Sequence, residues 1–399
     1  MLAIGFVFLV SACEAGSSGE AQGHAGPLTF TTGDIQVLGG SDVIAQVNDL
    51  EVLPDGSVWL LNSVQPFFVG LDGSGAVRAT YGTSGGGPEE FRMPAGFVTG
   101  GLGDGVWVLD FIRHALIKVS QPDETWSQLS VPRDAVPLGS LRGGLDITSL
   151  GVRTARLGQE VILPRTSGSM EDGIFSFRMS VLGADLVAFD PGTGSVRHVV
   201  SLREALDDPG ADFEATEGGL PLWYRLWAVC GGNQIRVYDR ARNQLRGFDG
   251  QGNEIEAVAL PPVRLTEVTP RQFARAIFPL RQAEVTGEVG SRLNASDSLR
   301  VINEIIQGIK GEPHQLAGYL PRYVDFRCTD DGTMWMHPLD LQVGGLEGGP
   351  TWLRIAQDGV TREVRLPERF DALRFTASRI WGVQRDEFDV ASVAWIEFP

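Results

Sequence analysis

Asn62, Asp110, Asp239, Asp340 and Asp386 recur near the ends of strand-like segments, and a ring of such side chains on one face of a molecule could hold a cation. Asx side chains at strand corners more often accept hydrogen bonds from their own turn, and that is the role assigned to them here. The histidines, His24, His114, His198, His314 and His337, show no H-x-H, H-x-x-x-H or H-E-x-x-H spacing, so the linear sequence assigns no metal ligands. A G-x-S-x-G pattern occurs as Gly82-Thr83-Ser84-Gly85-Gly86, but a nucleophile elbow needs a helix directly after it and no helical pattern follows. No catalytic residue is assigned. Asp207, Asp208, Asp212, Glu214 and Glu217 lack the D-x-D-x-D-G order of a calcium loop and read as a solvated charge run. Beside them Trp223, Tyr224 and Trp227 form the aromatic group best placed to stack on a ligand, and they are the candidate binding residues.

A repeat must position these groups. Asp55-Gly56-Ser57-Val58-Trp59 returns as Asp104-Gly105-Val106-Trp107 and as Asp331-Gly332-Thr333-Met334-Trp335. Each copy is a strand, a D-G turn, an alternating strand, a polar turn, a third strand, a Gly-rich turn and a fourth strand. Four antiparallel strands in ~50 residues is the spacing of a propeller blade. The 399 residues, with Gly 51, Pro 22 and 43% apolar content, suit many short strands around a substantial core. The expected fold is therefore all-β, a six-bladed β-propeller of four-stranded antiparallel blades over residues 28–399. Its sixth blade, beginning at Phe370, has only three strands, so Leu28 to Gly39 is expected to close the ring as the outermost strand of that blade. Trp59, Trp107 and Trp335, at equivalent positions, are expected to pack between blades.

One region breaks the pattern, at about 269–311 between blades four and five. Thr269-Pro270-Arg271-Gln272 has the form of an N-cap, a first-turn proline and a capping-box glutamine. Phe273, Ile277 and Leu280 follow at helical spacing up to the break at Pro279, and Leu299, Ile302, Ile305, Ile306 and Ile309 form a second stripe. A two-helix insertion is expected.

Residues 1–12 form an apolar run too short to span a bilayer of ~30 Å, and Val10-Ser11-Ala12-Cys13 resembles the bacterial lipoprotein signal. Residues 1–12 are then a signal peptide, Cys13 is the lipidated residue, and the Gly/Ser/Ala-rich 13–27 is a flexible tether. Cys230 and Cys328 remain. They fall in equivalent inner strands of neighbouring blades but one residue out of step, which argues for two buried thiols rather than a bridge. The formal charge of −17, from Lys+Arg 33 against Asp+Glu 50, excludes nucleic acid as a partner.

Tyr81-Gly82-Thr83-Ser84-Gly85-Gly86-Gly87-Pro88-Glu89-Glu90-Phe91-Arg92-Met93-Pro94 resembles the interblade signature of bacterial six-bladed β-propeller lipoproteins related to the NHL-repeat group, in which an aromatic-Gly pair leads to G-x-G-P-x-E-F and proline. Gly85, Gly87, Pro88, Glu90 and Phe91 carry the match. The resemblance implies an extracytoplasmic protein of the bacterial cell envelope, held to the membrane through its lipid. The expected function is binding or scaffolding of an unknown protein or small-molecule ligand. The alternative that the wider superfamily implies is a metal-dependent hydrolase or lyase with its site at the central channel. The sequence names no cofactor.

Overall fold

The computed structural model describes residues 25–40, 44, 46–102, 105–110, 112–119, 127–132, 153–165, 185–202, 226–263, 268–275, 278, 295–308, 320, 322–341 and 350–399. Cys13, the acidic run at 207–217, Trp223, Tyr224, His24 and His314 lie outside these residues.

The turn glycines and alternating apolar residues produce successive antiparallel meanders, and the fold is all-β with a β-propeller-like arrangement. Unit one comprises Val47–Val52, Val58–Asn62, Phe68–Leu71 and Val77–Tyr81. Unit two comprises Pro94–Thr99, Val106–Asp110, Ala115–Val119 and Gln128–Ser130; unit three, Thr154–Leu157, Glu160–Arg165, Asp185–Phe189 and Val196–Ser201. Unit four comprises Trp227–Cys230, Gln234–Asp239, Gln244–Asp249 and Glu254–Ala259; unit five, Tyr323–Cys328, Met334–Pro338, Thr351–Ile355 and Thr361–Arg365. The last unit holds Phe370–Phe375, Arg379–Arg385 and Ala391–Glu397, completed by Ile35–Gly40. These units are not all separate four-stranded sheets. Units two and three join into one eight-stranded sheet, because their inner strands pair in parallel through Thr154–Val98 and Ala155–Thr99.

The chain start departs from expectation in one respect. Residues 35–40 pair antiparallel with Ala391–Glu397 as the outer strand of the last unit, but Leu28–Thr29 adds in parallel to Val364–Arg365, the outer strand of unit five. A turn capped by Asp34, whose Oδ2 accepts from the Thr31 N–H (2.7 Å) and hydroxyl (2.8 Å), redirects the chain between the two. The opening segment therefore stitches two units rather than one.

An apolar cluster fills each seam. Trp59 with Phe97 and Val108 joins units one and two, Trp107 with Val161 and Val187 joins two and three, and Trp227 with Ile162 joins three and four. Leu226 with Phe326 joins four and five, Trp335 with Ile380 joins five and the last, and Trp381 with Leu60 returns to unit one. The repeated tryptophans thus pack between units, where a large flat side chain covers the most apolar area. Inner strands also neighbour one another in this order, back to the first.

The seams impose glycine at close approaches. Gly75 has φ +86°, and a Cβ there would lie 1.9 Å from the Leu38 carbonyl oxygen of the closing strand. Gly359, in the same turn of unit five, has φ +79° with nothing within 4 Å. Gly75→Ala is therefore expected to lose about 1–3 kcal/mol more than Gly359→Ala in chemical denaturation. Equal losses would mean that this seam is not tightly closed.

The insertion is helical as expected, with different contacts. Thr269 and Gln272 form the capping box, the Gln272 N–H donating to Thr269 Oγ1 (3.2 Å) and the Thr269 N–H to Gln272 Oε1 (3.0 Å), ahead of a helical stretch at 270–275 that buries Phe273. In the helix Ala295–Gly308 the buried residues are Val301 and Ile305, while Leu299 is exposed. The packed face is rotated from the expected stripe because the partner surface, not the helix alone, selects which apolar residues are covered. No helix among the described residues is long and apolar enough to cross a membrane.

Candidate functional site

Inner strands converge on the axis, and three of them carry charge where the register places the residue opposite the second strand's tryptophan. Glu51 faces Trp59, Arg327 faces Trp335 and Arg374 faces Trp381 across their strand pairs. Glu51 is buried, pairs with Arg374 (Oε1 to Nη2, 3.3 Å) and accepts the Gly100 N–H of unit two. At a second level Arg153, which precedes the inner strand of unit three, reaches unit five. There it donates to Asp325 Oδ1 (Nη2, 2.5 Å) and to the Phe326 carbonyl, while Arg327 Nε donates to Asp325 Oδ2 (3.1 Å). Asp49 Oδ2 accepts the Phe97 N–H (2.8 Å), tying unit one to unit two.

Between these groups the axis retains about 30 Å³, lined by Thr99, Thr154, Arg153, Arg327 and Arg374 among others. That is room for about one water. Among the described residues, paired charges line this part of the axis and leave it little free space.

Burial pushes the Glu51 carboxyl up to about 7; Arg374 opposes the rise, while Asp49 and Asp330 add to it. Burial acts to raise Asp325 too, but the Arg153 and Arg327 guanidiniums, helped by His337, outweigh it and hold that carboxyl well below the usual range. Desolvation and the neighbouring Arg327 lower Arg153. Between the ordinary carboxyl value of 4.5 and about 7, the folded chain keeps a Glu51 proton that the unfolded chain has released. The stabilisation from this group is thus complete below 4.5 and is lost as pH rises to about 7, a loss on the order of 3 kcal/mol. Glu51→Gln should abolish that dependence: relative to the variant, the parent should weaken by this order between acid and about pH 8 in urea titrations. A pH-independent difference would contradict the buried placement of Glu51.

Sequence reasoning missed this network. Trp227, expected to meet ligand, is buried at 4% exposure in the seam between units three and four, because its position in the innermost strand turns it towards the facing sheet. The corner residues do serve their turns: Asp110 accepts from the N–H groups of Arg92, Met93 and Arg113, Asp239 from that of Arg242, and Asp386 from those of Phe388 and Val390. Ser84 lies in a two-residue strand, Thr83–Ser84, paired in parallel with Glu90–Phe91. His337 stacks on Trp352 with centroids 4.2 Å apart.

The cysteine expectation is corrected. Cys230 and Cys328 form a disulfide with Cα atoms 5.1 Å apart. The one-residue offset is what allows it. Equivalent residues of neighbouring units point the same way around the ring, so a side chain facing forward from unit four meets one facing backward from unit five, one step out of phase. Cys230 and Cys328 accordingly share one seam cluster.

In an antiparallel meander, the turns between second and third strands share a face with the crossovers between units. That face carries the glycine-rich crossover after Tyr81, the helical insertion and exposed Val64, Ile112 and Phe388, the last 78% exposed.

Neither the protein-family models nor the curated protein sequences give a match. Among solved structures, the chain is similar to a member of the DUF4221 family from Bacteroides vulgatus, at 8% identity and TM-score 0.52, with 92% of this chain and 97% of that chain covered. It is also similar to virginiamycin B lyase from Staphylococcus aureus (9% identity, TM-score 0.42, 92% and 99% covered). A third is regucalcin, a calcium-binding protein from Agrobacterium tumefaciens (11% identity, TM-score 0.43, 94% and 96% covered). Likeness at such identity concerns the fold alone.

Proposed function

We propose that this chain is a six-bladed propeller acting as a binding or scaffolding module, its partner held on the turn-and-crossover face. In this reading the eight-stranded sheet counts as two blades. The observation that carries the proposal is the charge-paired axis, where, among the described residues, Glu51–Arg374 and Arg153–Asp325–Arg327 engage one another and leave little free space between them. Each of these carboxylates is engaged by an arginine. The exposed apolar side chains of that face, Val64, Ile112 and Phe388, supply contact area of the kind that protein or small-molecule partners cover.

The module is placed outside the cytoplasm, tethered to the bacterial cell envelope by a lipid on Cys13, with residues 13–27 as spacer. The Cys230–Cys328 bridge supports this placement, since disulfides persist in oxidising compartments. The acidic balance of the chain supports a partner other than nucleic acid.

Elemental analysis of the purified full-length protein tests the reading. Substoichiometric divalent metal is the expected result. One equivalent that a chelator strips, with a hydrolase or lyase activity lost in step, would overturn it in favour of a metal-dependent enzyme at the channel.

A further inference from the structure

Unit two carries a second concavity, about 610 Å³ in volume, on the turn-and-crossover face and away from the axis. One wall is the glycine-rich crossover at Gly86 and Gly87, the opposite wall is the turn Ile112-Arg113-His114, and Arg92 stands between them. The chain carries a net charge of −17, yet among the described residues no carboxylate lines this pocket; the charged residues of its described lining are Arg92 and Arg113, with His114 beside them. Among the described residues neither arginine is ion-paired with a carboxylate.

The arrangement is built from below. Asp110, wholly buried, accepts the Arg92 N–H at Oδ2 (2.8 Å) and the Arg113 N–H at Oδ1 (3.1 Å), so one carboxylate fixes the backbone of both arginines at the rim. Arg113 Nη2 then donates to the Gly87 carbonyl (2.7 Å), locking the turn against the crossover. Gly86 leaves space for the other guanidinium, since a Cβ there would lie 3.4 Å from Arg92 Nη2. The adjacent acid, Glu90, is turned into its own loop, where it accepts the Gly87 N–H (2.6 Å).

We propose that this pocket binds a small organic anion, its phosphate or carboxylate group held by Arg92 and Arg113 and its apolar part resting on Ile112 and Val131. A planar guanidinium fork matches either group, and the volume falls within the ~300–1,000 Å³ of small-molecule sites. The inference stands apart from the charge-paired axis and survives or fails independently of it.

Calorimetric titration of the full-length protein with inorganic phosphate and, separately, with succinate tests the proposal, the tighter probe identifying the anion class. Saturable one-to-one binding of at least one probe is expected. Arg92→Ala should weaken it about tenfold or more with an unchanged unfolding transition, because the side chain is exposed and the Asp110 contact is made by the backbone. Arg78→Ala, at an exposed arginine paired with Asp72 in unit one, should leave binding unchanged. Absence of saturable binding by both probes, or equal weakening by the two variants, would overturn the assignment.

Discussion

Cys230→Ser is expected to lower the free energy of unfolding by about 3–5 kcal/mol, the largest single-residue effect outside the axis. The bridged residues are 98 apart in sequence, and in the chain-entropy account a cross-link closing a loop of ~100 residues removes ~4.7 kcal/mol of unfolded-state freedom. Location adds to the effect. Among the described residues units four and five are not joined by a strand pair as units two and three are, and the long connection carrying the helices intervenes between Ala259 and Tyr323. The bridge thus reinforces a seam that also holds the apolar cluster around Leu226, Tyr238 and Phe326, the Gly231 N–H donating to the Thr329 carbonyl (3.3 Å) and the Tyr323 hydroxyl donating to the Pro261 carbonyl (3.2 Å). Reductant should shift the parent's denaturation midpoint to that of the variant and leave the variant unmoved. Two alkylatable thiols at 230 and 328 in the unreduced protein would contradict the bridge.

Asp325→Asn is expected to cost about 3–5 kcal/mol, because it keeps the side chain's shape while leaving Arg153 and Arg327 facing each other without their shared anion. Arg327 already disfavours the charge on Arg153. Adding Arg153→Met should recover a large part of the loss, since the double variant removes the uncompensated cation and fills its path with an apolar chain. Strict additivity of the two substitutions in urea unfolding would show that they do not share a network.

The repeat of Asp-Gly turns and tryptophans made the meanders readable, because turn chemistry and alternation are local properties. Closure through residues 35–40 was readable as well, since the last unit lacks a strand. The parallel addition of Leu28–Thr29 to unit five was not, for a two-residue pairing leaves no periodicity. The disulfide is not legible from the one-residue offset alone, because Cys230 and Cys328 belong to separate sheets that pack face to face, where side chains one step out of phase meet.

The axial network left a signal that motif searching passes over. Asp49-Leu50-Glu51 and Asp325-Phe326-Arg327 place charges at alternate positions of innermost strands, which should be the most apolar of each unit. Charges persist there only when paired. The pairing itself, with Arg153 crossing from unit three to unit five, joins residues 172 apart and depends on a ring that no local pattern describes. The pocket of unit two is hidden for the same reason, since Arg92 and Arg113 are brought together by the tertiary contacts of Asp110 and of the Gly87 carbonyl.

Closure of the ring underlies the seams, the charge-paired axis and the shared face. Hydrogen-exchange mass spectrometry of the intact protein tests it most directly, by comparing residues 35–40 with 391–397. The ring predicts that both segments exchange slowly and at a common rate, through a single cooperative opening. Fast exchange of 35–40 beside a protected 391–397 would contradict it.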